Sequence, residues 1–350
     1  MVSNDIETKV PETTEETVVS EPQQNVELTL EEKMASQMIN GKVALEVVKK
    51  QKRRRAVKRG VFIGCMLALA IINFLVFWVY VNFNSILLAF QTQTRQGIIW
   101  GFEQFTKFFD QFSNEFAEPR LADALGRTLI LFVLCNIVMM PLNLIITYIL
   151  FKKIPGEKFF RVIFFLPSII SGAVLVGVFR RIFAVDGPIN ELITSITGTL
   201  YDRNWIASKE WLFTTVLIYV FWTSWGGNVV LLTGAVYRIP TDVLEYASLD
   251  GVGFFRELFQ IIIPMIWPTL STLLTFAAAG LFTNSGPVLL FDEKNQYDTV
   301  TLGHFIYMQV KQYGNYNYPS AIGLIFTALG FPIVLIVKWA LGKVYEDVEY

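Results

Sequence analysis

The sequence contains one histidine, His304, and two cysteines, Cys65 and Cys135, among its 350 residues. A single histidine excludes metal centres built from several histidines and most catalytic triads. Two cysteines cannot form a disulfide framework, and both lie in apolar runs, where a free cysteine packs as a small hydrophobic side chain. Because the apolar runs have no grouped His, Cys and carboxylate residues, a membrane enzyme is a poor interpretation.

Charged residues are also scarce. They make up 17% of the sequence, against ~25% in an ordinary soluble domain, whereas apolar residues make up 53%. The mean hydropathy is +0.46. This composition argues against a soluble globular enzyme and predicts a chain that is solvated largely by lipid.

The few charges are segregated near the start of the chain. Residues 1–48 carry ten Asp or Glu and three Lys, and residues 49–60 carry eight Lys or Arg and no acid. A basic run of this kind can bind nucleic acid. Here it precedes an apolar run that begins at Val61, so we favour a basic juxtamembrane segment at the inner membrane face and expect no nucleic-acid partner.

The first 48 residues are expected to form an acidic, largely disordered cytoplasmic tail. Residues 1–27 lack aromatic residues and are rich in Glu, Thr, Pro and Gln, a composition typical of disorder. From Leu28 onward, an apolar stripe and a Thr29–Glu32 capping box predict a short amphipathic helix, either a surface helix or one that lies on the membrane. The first apolar run begins 60 residues in, too late for a signal peptide, so we expect it to stay in the membrane.

Six apolar segments are long enough for a membrane crossing, which requires ~20 residues. They lie at 61–83, 127–151, 159–180, 211–236, 259–283 and 319–341. The basic N-terminal segment should remain cytoplasmic, so six crossings return the C-terminus to the same side. The loop from Lys152 to Arg161 is basic and agrees, whereas Arg180 and Arg181 on the outer side disagree. We therefore predict an all-α integral membrane protein of the cytoplasmic membrane, with a six-helix transmembrane domain over residues 61–341.

Three outer loops are predicted, at 84–126, 184–210 and 284–318. The first contains five phenylalanines spaced for one face of a helix: Phe102, Phe105, Phe109, Phe112 and Phe116. That pattern predicts either an interfacial helix or a helix that packs against the bundle.

Asp, Glu, Lys, Arg and His are absent from the central part of every predicted span. A transporter driven by protons or sodium needs such groups at depth, so this class is disfavoured, while a structural membrane anchor stays open. The sequence also lacks the G-x-x-x-x-G-K-[ST] pattern of nucleotide-binding phosphate loops. Uphill transport would therefore require energy from another polypeptide, delivered through a contact on the inner face.

The inner loop, at about 237–258, is the candidate for that contact. Thr241 or Asp242 can cap a short helix, and Gly251 suits the left-handed turn at its end. Two short helices would then meet at a bend and present Glu245 and Asp250 to the cytoplasm, a shape that a partner's groove can hold. The alternative is a solvated loop.

The spacing in this loop resembles a known family. Glu245-x-Ala247-x-x-Asp250-Gly251, with Pro264 thirteen residues further on, is similar to the EAA loop of ABC importer permeases, here at about 240–264. Other segments between 85 and 341 resemble the carbohydrate uptake group of these permeases, in its maltose-type and glycerol-phosphate-type branches: Pro155-Gly156, Phe160-Arg161, Phe164 to Pro167, Gly187 to Asn190, Gly286-Pro287, Thr301-Leu302 and Ser320-Ala321. The sequence departs from the family pattern at Tyr246, where alanine is usual, and at Arg127, where asparagine is usual.

The resemblance implies a permease-type helical bundle that is not itself an enzyme. Such permeases pair with a second permease, usually a different chain, and sit on two ATP-binding subunits, which bind ATP and Mg. An external solute-binding protein delivers the sugar. The chain itself would then bind no cofactor or metal, and the resemblance assigns its coupling to the ATP-binding subunits to Glu245, Ala247, Asp250, Gly251 and Pro264.

A neutral sugar requires hydrogen-bonding groups and aromatic faces rather than charges, which fits the uncharged spans. Two polar clusters are candidates for the substrate path: Thr223, Ser224, Trp225 and Asn228 in the fourth span, and Thr283, Asn284 and Ser285 at the outer end of the fifth. The resemblance implies that these two helices line the path. The alternative is that the clusters join helices, since small polar residues are enriched at helix contacts in membranes.

The sequence thus predicts the permease subunit of an ATP-driven importer that carries a sugar, most readily an oligosaccharide, across the cytoplasmic membrane. One open alternative is an ABC permease for another solute, such as glycerol phosphate, which would change only the substrate. The other is an ion-gradient-driven secondary transporter or channel, which would need no ATP-binding partner.

Overall fold

A computed structural model of the protein describes residues 30–114 and 120–345. Within these residues the chain is helical apart from one hairpin, in which β1 (Gln91–Thr94) and β2 (Gly97–Trp100) pair antiparallel. The α-helices are α1 (Leu30–Asn73), α2 (Val81–Ala89), α3 (Glu103–Ser113), α4 (Leu121–Phe132), α5 (Met139–Phe151), α6 (Glu157–Ile169), α7 (Gly172–Ile182), α8 (Pro188–Thr197), α9 (Leu212–Thr223), α10 (Gly226–Val236), α11 (Thr241–Leu249), α12 (Phe254–Glu257), α13 (Ile263–Ala279), α14 (Val288–Phe291), α15 (Leu302–Lys311) and α16 (Asn317–Val344). Short π-helical segments interrupt longer helices at Phe74–Tyr80, Val133–Val138 and Leu258–Ile262.

Among the described residues, five helical stretches are long and apolar enough to cross a membrane. They are span 1 (Lys52–Ala89), span 2 (Leu121–Phe151), span 4 (Leu212–Val236), span 5 (Phe254–Ala279) and span 6 (Asn317–Val344). The segment predicted at 159–180 is not one straight helix but the pair α6 and α7, called segment 3 below, which is bent by 104°. Counting segment 3 as one crossing gives six, the predicted number.

The bend in segment 3 lies just after a proline. Pro167 lies inside α6, where a proline removes a backbone donor and crowds the preceding turn, and α6 continues for two more residues. The helix ends at Ile169, Ile170 is extended, and α7 begins after Ser171. The apolar composition continues on both sides of the bend, so hydropathy alone does not reveal it.

Spans 2 and 4 are irregular as well. Span 2 passes through the π-helical segment Val133–Val138, and span 4 is interrupted at Ser224 and Trp225, between α9 and α10. The side-chain Nδ2 of Asn143 in span 2 donates a hydrogen bond to the carbonyl oxygen of Ser224, at 3.1 Å. A side chain from one span therefore satisfies a carbonyl at the break in the other, as backbone inside a membrane requires.

Span 4 also crosses segment 3 at very short range. A Cβ atom on Gly226 would lie 2.6 Å from the Cβ atom of Ser168. Beside this point the rings of Phe164 and Trp225 have centroids 5.6 Å apart. Small residues at such crossings allow helix backbones to approach closely.

The chain divides into two compact units, which separate between Trp78 and Val79. In the first unit, the predicted short helix and the basic segment 49–60 both lie within the single 44-residue helix α1. The predicted disordered tail, residues 1–27, lies outside the described residues.

Three apolar clusters form the core of the second unit. The first joins span 2, segment 3 and span 4 around Phe179 and Val216, and the second joins α3, α15 and spans 2 and 6 around Phe305. The third joins spans 2, 4 and 5 around Ile262 and extends to Leu244 of the inner loop. This third cluster forms the base on which the inner loop rests.

The helix predicted from the phenylalanine pattern is α3, and it packs against the bundle. The contact is made by a residue outside the predicted face, Phe108, which is 5% exposed and has its ring centroid 5.8 Å from that of Phe326. Phe102 and Phe109, both on the predicted face, are exposed. Phe116 lies outside the described residues.

Both arginines that disagree with the charge rule have specific partners. Arg180 donates hydrogen bonds to the carbonyl oxygens of Leu290 and Phe291 at the end of α14, at 3.0 and 2.7 Å. Arg181 forms an ion pair with Asp186 at 3.3 Å.

Candidate coupling loop and translocation cavity

The inner loop forms the helix α11, which begins directly after Pro240. Pro240 occupies the N-cap position and no side chain caps the helix, so the predicted capping by Thr241 or Asp242 is wrong. Thr241 is already the first helical residue, and its hydroxyl therefore lies one position too far along to serve as the cap.

Gly251 ends this helix in a left-handed conformation, with φ of +70°. The amide of Gly251 donates to the carbonyl oxygen of Ser248 at 3.1 Å, and the amide of Val252 donates to that of Ala247 at 3.0 Å. These two bonds define a Schellman turn, which closes the last turn of a helix and redirects the chain. The bend between α11 and α12 is therefore fixed by backbone bonds that glycine makes accessible.

The two faces of α11 differ in burial. Ala247 is buried and Leu244 packs against the third apolar cluster, whereas Glu245 and Asp250 are exposed. Leu249 is also exposed, at 82%. One face of α11 is thus bound to the bundle and the other, which carries both carboxylates, is free of it.

The exposed face of the inner loop is partly apolar. Tyr246, Leu249 and Phe255 are each at least 68% exposed. Large exposed apolar groups beside exposed carboxylates are typical of a surface that another protein covers.

Pro264 lies inside span 5, in the first turn of α13. Proline has no backbone N–H, so this position cannot donate to the preceding turn of the continuous helix. It follows the π-helical segment Leu258–Ile262, so the inner end of span 5 is locally irregular.

An ion pair that the sequence did not indicate fastens the inner loop to span 2. Lys152, at the end of α5, has its Nζ 2.6 Å from both carboxylate oxygens of Glu257 in α12. The side chain of Glu257 is 6% exposed. The two residues lie 105 positions apart, so no local spacing rule connects them.

Spans 2, 4 and 5, with the segment that follows span 5, line a partly open cavity of about 460 Å³, in the ~300–1,000 Å³ range of small-molecule sites. It is lined by Thr128, Leu131, Phe132, Cys135, Asn136, Tyr219, Val220, Thr223, Ser224, Phe276, Ala277, Gly280, Leu281, Asn284, Gly286 and Pro287. The lining includes both irregular points, the π-helical segment of span 2 and the break in span 4. Broken helices at membrane depth are tolerated where they line such cavities.

Three of the seven residues predicted for the substrate path line this cavity, namely Thr223, Ser224 and Asn284. The other four, Trp225, Asn228, Thr283 and Ser285, are not among the lining residues. The ring of Trp225 lies against Phe164 and Phe221, with centroids 5.6 and 5.5 Å away. Trp225 therefore joins helices, the alternative that the sequence left open.

The segment that follows span 5 is held by α15. The hydroxyl of Thr301 donates to the carbonyl oxygen of Ser285 at 3.0 Å. A Cβ atom on Gly303 would lie 2.9 Å from the backbone nitrogen of Ser285 and 3.0 Å from the carbonyl oxygen of Thr283. This close approach positions Asn284, between them, at the cavity.

Span 2 also contributes polar residues to the cavity, and they are not among the predicted substrate-path residues. Thr128 and Asn136 line the cavity opposite span 4, together with Cys135. The sequence signal that could have indicated this contribution is the presence of Thr, Cys and Asn in an otherwise apolar span. Polar side chains in a membrane span are expected to face another helix or a cavity rather than lipid.

The chemistry of the cavity is neutral. None of the described residues that line it is charged, and its polar groups are two threonines, one serine, two asparagines, one tyrosine and one cysteine. Within the described part of the chain, no group of three His, Cys, Asp or Glu residues is placed to hold a metal ion. The arrangement suits hydrogen bonding to an uncharged solute.

Residues 151–346, more than half of the chain, match the model of the family described as "binding-protein-dependent transport system inner membrane component". The chain belongs to this family. It is a multi-pass protein of the cytoplasmic membrane, and the predicted assignment to ABC importer permeases is confirmed.

Several curated relatives are similar over most of their length. Protein LplB of Bacillus subtilis is 27% identical over 298 residues, which are 83% of this chain and 92% of LplB. The polygalacturonan/rhamnogalacturonan transport system permease protein YteP of the same organism is 25% identical over 87% of this chain and 96% of YteP. The multiple sugar-binding transport system permease protein MsmF of Streptococcus mutans is 26% identical over 65% and 78%.

A solved structure shares the fold. It is a bacterial ABC transporter involved in the import of the acidic polysaccharide alginate, and one of its chains superposes with a TM-score of 0.71 at 21% sequence identity. The match covers 83% of this chain and 98% of that one. A second structure of such an alginate transporter, in complex with an alginate pentasaccharide-bound periplasmic protein, gives the same score at 20% identity.

Proposed function

We propose that this chain is the permease subunit of an ABC importer that carries an oligosaccharide, driven by ATP hydrolysis in partner subunits. The observation that carries the proposal is the neutral, polar cavity of about 460 Å³ at the irregular points of spans 2 and 4. In a member of this permease family, such a cavity is the natural place for an uncharged solute to pass.

The relatives support a sugar as the solute. MsmF is named for multiple sugars, and AraP of Bacillus subtilis, 24% identical over 76% of this chain, for arabinooligosaccharides. YteP is also named for carbohydrates, polygalacturonan and rhamnogalacturonan, but these polymers are acidic, and the uncharged cavity favours a neutral sugar. Sugars present many hydroxyl groups, and the side chains of Thr223, Ser224, Asn136 and Asn284 offer both donors and acceptors.

The alternatives fit the cavity less well. Glycerol phosphate carries a negative charge, which a buried site must pair with a cation, and the described lining residues include none. An ion-gradient-driven transporter requires ionisable groups at depth, which the same residues do not provide.

The inner loop is the proposed contact for ATP-binding subunits. The exposed carboxylates of Glu245 and Asp250, beside the exposed Tyr246 and Leu249, present a short charged and apolar helix that fits a groove. Ala247 and Pro264 would hold that helix on the bundle, and Gly251 would set its angle. The full assembly would contain a second, different permease, two ATP-binding subunits that hold ATP and Mg, and a solute-binding protein outside. This chain would bind no cofactor.

The proposed topology has six crossings, with segment 3 as one of them and both termini in the cytoplasm. The basic segment at residues 49–60 supports a cytoplasmic N-terminus. Single cysteines at Ser195 and Ser248, in a chain without Cys65 and Cys135, test this topology. An impermeant thiol reagent should label the first from outside the cell and the second only after lysis; the reverse result contradicts it.

Thiol protection tests the cavity. In a Cys65→Ser background, Cys135 is the remaining thiol, and its reaction with a methanethiosulfonate reagent should slow when neutral oligosaccharides, such as arabino-oligosaccharides, are added to the assembled transporter. Maltose and glycerol phosphate serve as comparison solutes. Protection by glycerol phosphate alone would favour the alternative substrate, and absence of protection by every oligosaccharide would contradict Cys135 as part of the path.

A further inference from the structure

The ion pair between Lys152 and Glu257 joins two elements that the proposed mechanism must move together. Lys152 is the first residue after α5, the inner half of span 2, and Glu257 ends α12, which follows the bend at Gly251. The carboxylate is almost fully buried, and both of its oxygens lie 2.6 Å from the ammonium nitrogen. A displacement of α12 therefore acts on the end of span 2.

Aromatic contacts reinforce the same junction. The ring of Tyr148, one turn before Lys152 in span 2, has its centroid 4.7 Å from that of Phe254 in α12. The ammonium of Lys152 lies 5.4 Å from the centroid of the Tyr148 ring, within the range of a cation–π contact. Tyr148, in span 2, and Lys152, directly after that span, thus both contact α12.

We propose that the Lys152–Glu257 pair is a positioning link that carries the displacement of the inner loop into span 2 and so to the wall of the cavity. This inference rests on the proposed coupling role of the inner loop. It adds a connection to span 2, since α12 forms the start of span 5 and the chain itself continues only along that span.

The path along span 2 is short and continuous. Helix α5 extends from Met139 to Phe151, directly before Lys152. The π-helical segment Val133–Val138 directly precedes α5. Cys135 and Asn136 in that segment line the cavity. A helix transmits an axial displacement over this length as a rigid body, and a π-helical segment is a point where it can change register.

Stability alone is a weak reason for such a pair. The side chain of Glu257 is 6% exposed but that of Lys152 is 41% exposed, and a partly exposed ion pair is screened by water and contributes little to stability. A second pair offers a control: Arg161 and Glu157 lie 3.9 Å apart within the single helix α6. Arg161 also donates a hydrogen bond to the hydroxyl of Tyr237, at 3.3 Å, so the control changes Glu157 and leaves Arg161 in place.

The test measures the labelling of Cys135 in the full transporter, purified with its partner subunits from a Cys65→Ser strain. The rate of reaction with a methanethiosulfonate reagent is compared between the nucleotide-free complex and the complex trapped with Mg-ATP and vanadate, and retained nucleotide is measured in the same samples. The variants are Lys152→Met, Glu257→Gln, Glu257→Asp and the charge-swapped pair Lys152→Glu with Glu257→Lys. Glu157→Gln is the control.

We expect the labelling rate in the background protein to differ by about fivefold or more between the two states, the lower end of usual couplings between distant sites. Lys152→Met and Glu257→Gln should lose most of this difference while still retaining nucleotide, the swap should restore it, and Glu157→Gln should leave it unchanged. Nucleotide retention separates loss of transmission from loss of assembly.

Persistence of the full difference in both single variants would overturn the link. If these variants fail to assemble, Glu257→Asp decides, because it keeps the charge but withdraws the carboxylate by one methylene; an unchanged difference there overturns the link as well. A background complex that retains no nucleotide would instead contradict the proposed function, so the two failures are distinguishable.

Discussion

At the scale of single residues, two adjacent glycines show how closely the spans approach. A Cβ atom on Gly226 would lie 2.6 Å from the Ser168 side chain, whereas a Cβ atom on Gly227 would meet nothing within 4 Å. Both glycines lie in the same helix turn, so they share helix propensity and differ only in their surroundings. Gly226 is therefore required by the crossing with segment 3, and Gly227 is not.

This difference predicts opposite effects of the same substitution. Gly226→Ala should lower the melting temperature of the purified protein, because overpacking typically costs about 1–3 kcal/mol. Gly227→Ala should be neutral or slightly stabilising, because alanine is the better helix former. Equal melting temperatures for the two variants would show that segment 3 does not pack on span 4 as described.

His304 gives a prediction about pH. It is fully buried in α15, outside the spans, and its Nε2 lies 3.0 Å from the carbonyl oxygen of Glu293, which requires a proton on Nε2. Burial lowers the pKa of His304 below its ordinary value, although the nearby Asp292 and Glu293 oppose the shift. Below the unfolded pKa of about 6.5 the unfolded chain binds the proton first, so stability falls as pH falls.

Thermal unfolding of the wild type and of His304→Gln between pH 7.5 and 5 checks this expectation. The loss of stability attributable to His304 cannot exceed about 1.4 kcal/mol per pH unit. Above pH 7 the residue should contribute no pH dependence, since both states are neutral. The stability of the variant should decrease less steeply between pH 7 and pH 5 than that of the wild type. The same decrease in both proteins would contradict a buried neutral histidine.

At the scale of elements, the inner loop is a helix, a glycine turn and a second helix, held on one face and exposed on the other. Its turn depends on the left-handed conformation of Gly251, whereas Gly253, two residues on, has φ of −73° and open space around it. Substitution by alanine should therefore strain the backbone at Gly251 and be tolerated at Gly253.

Gly251→Ala should impair transport, because a left-handed alanine costs about 1–2 kcal/mol and the angle between α11 and α12 would relax. Gly253→Ala should leave transport intact. Glu245→Ala, which removes an exposed carboxylate, should lower both uptake and stimulated ATP hydrolysis. Membrane fractions must contain all three variants at the level of the wild type, and normal uptake by Gly251→Ala and Glu245→Ala would contradict the coupling role.

The sequence predicts elements better than it predicts their contacts. Apolar length located the five spans, and glycine chemistry located the bend at Gly251, because both signals are local. The bend of segment 3, the Lys152–Glu257 pair and the part of the cavity formed by Asn136 depend on which distant residues meet. The hairpin β1–β2 was also missed, since four-residue strands in a polar loop leave little periodicity.

At the scale of the whole molecule, the chain combines one unit that begins with α1 and a second unit that holds the cavity and the inner loop. The matched family model covers only residues of the second unit. Transport should therefore depend on the second unit, and the acidic start of the chain should be dispensable for it.

Deletion of residues 1–27 tests this division. The segment is acidic and lacks aromatic residues, so it has few groups with which to pack on a bundle. We expect uptake by the truncated chain to equal that of the full chain at equal membrane levels. A strict loss of uptake, with the protein present in the membrane, would assign the tail a role in transport.

The most direct test of the central claim is purification of the tagged chain in mild detergent, with identification of the proteins that accompany it and measurement of oligosaccharide uptake after reconstitution. The account predicts an ATP-binding subunit and a second permease in the complex, and uptake that requires ATP and an added solute-binding protein. A chain that purifies alone and still moves solute into vesicles without ATP would contradict it.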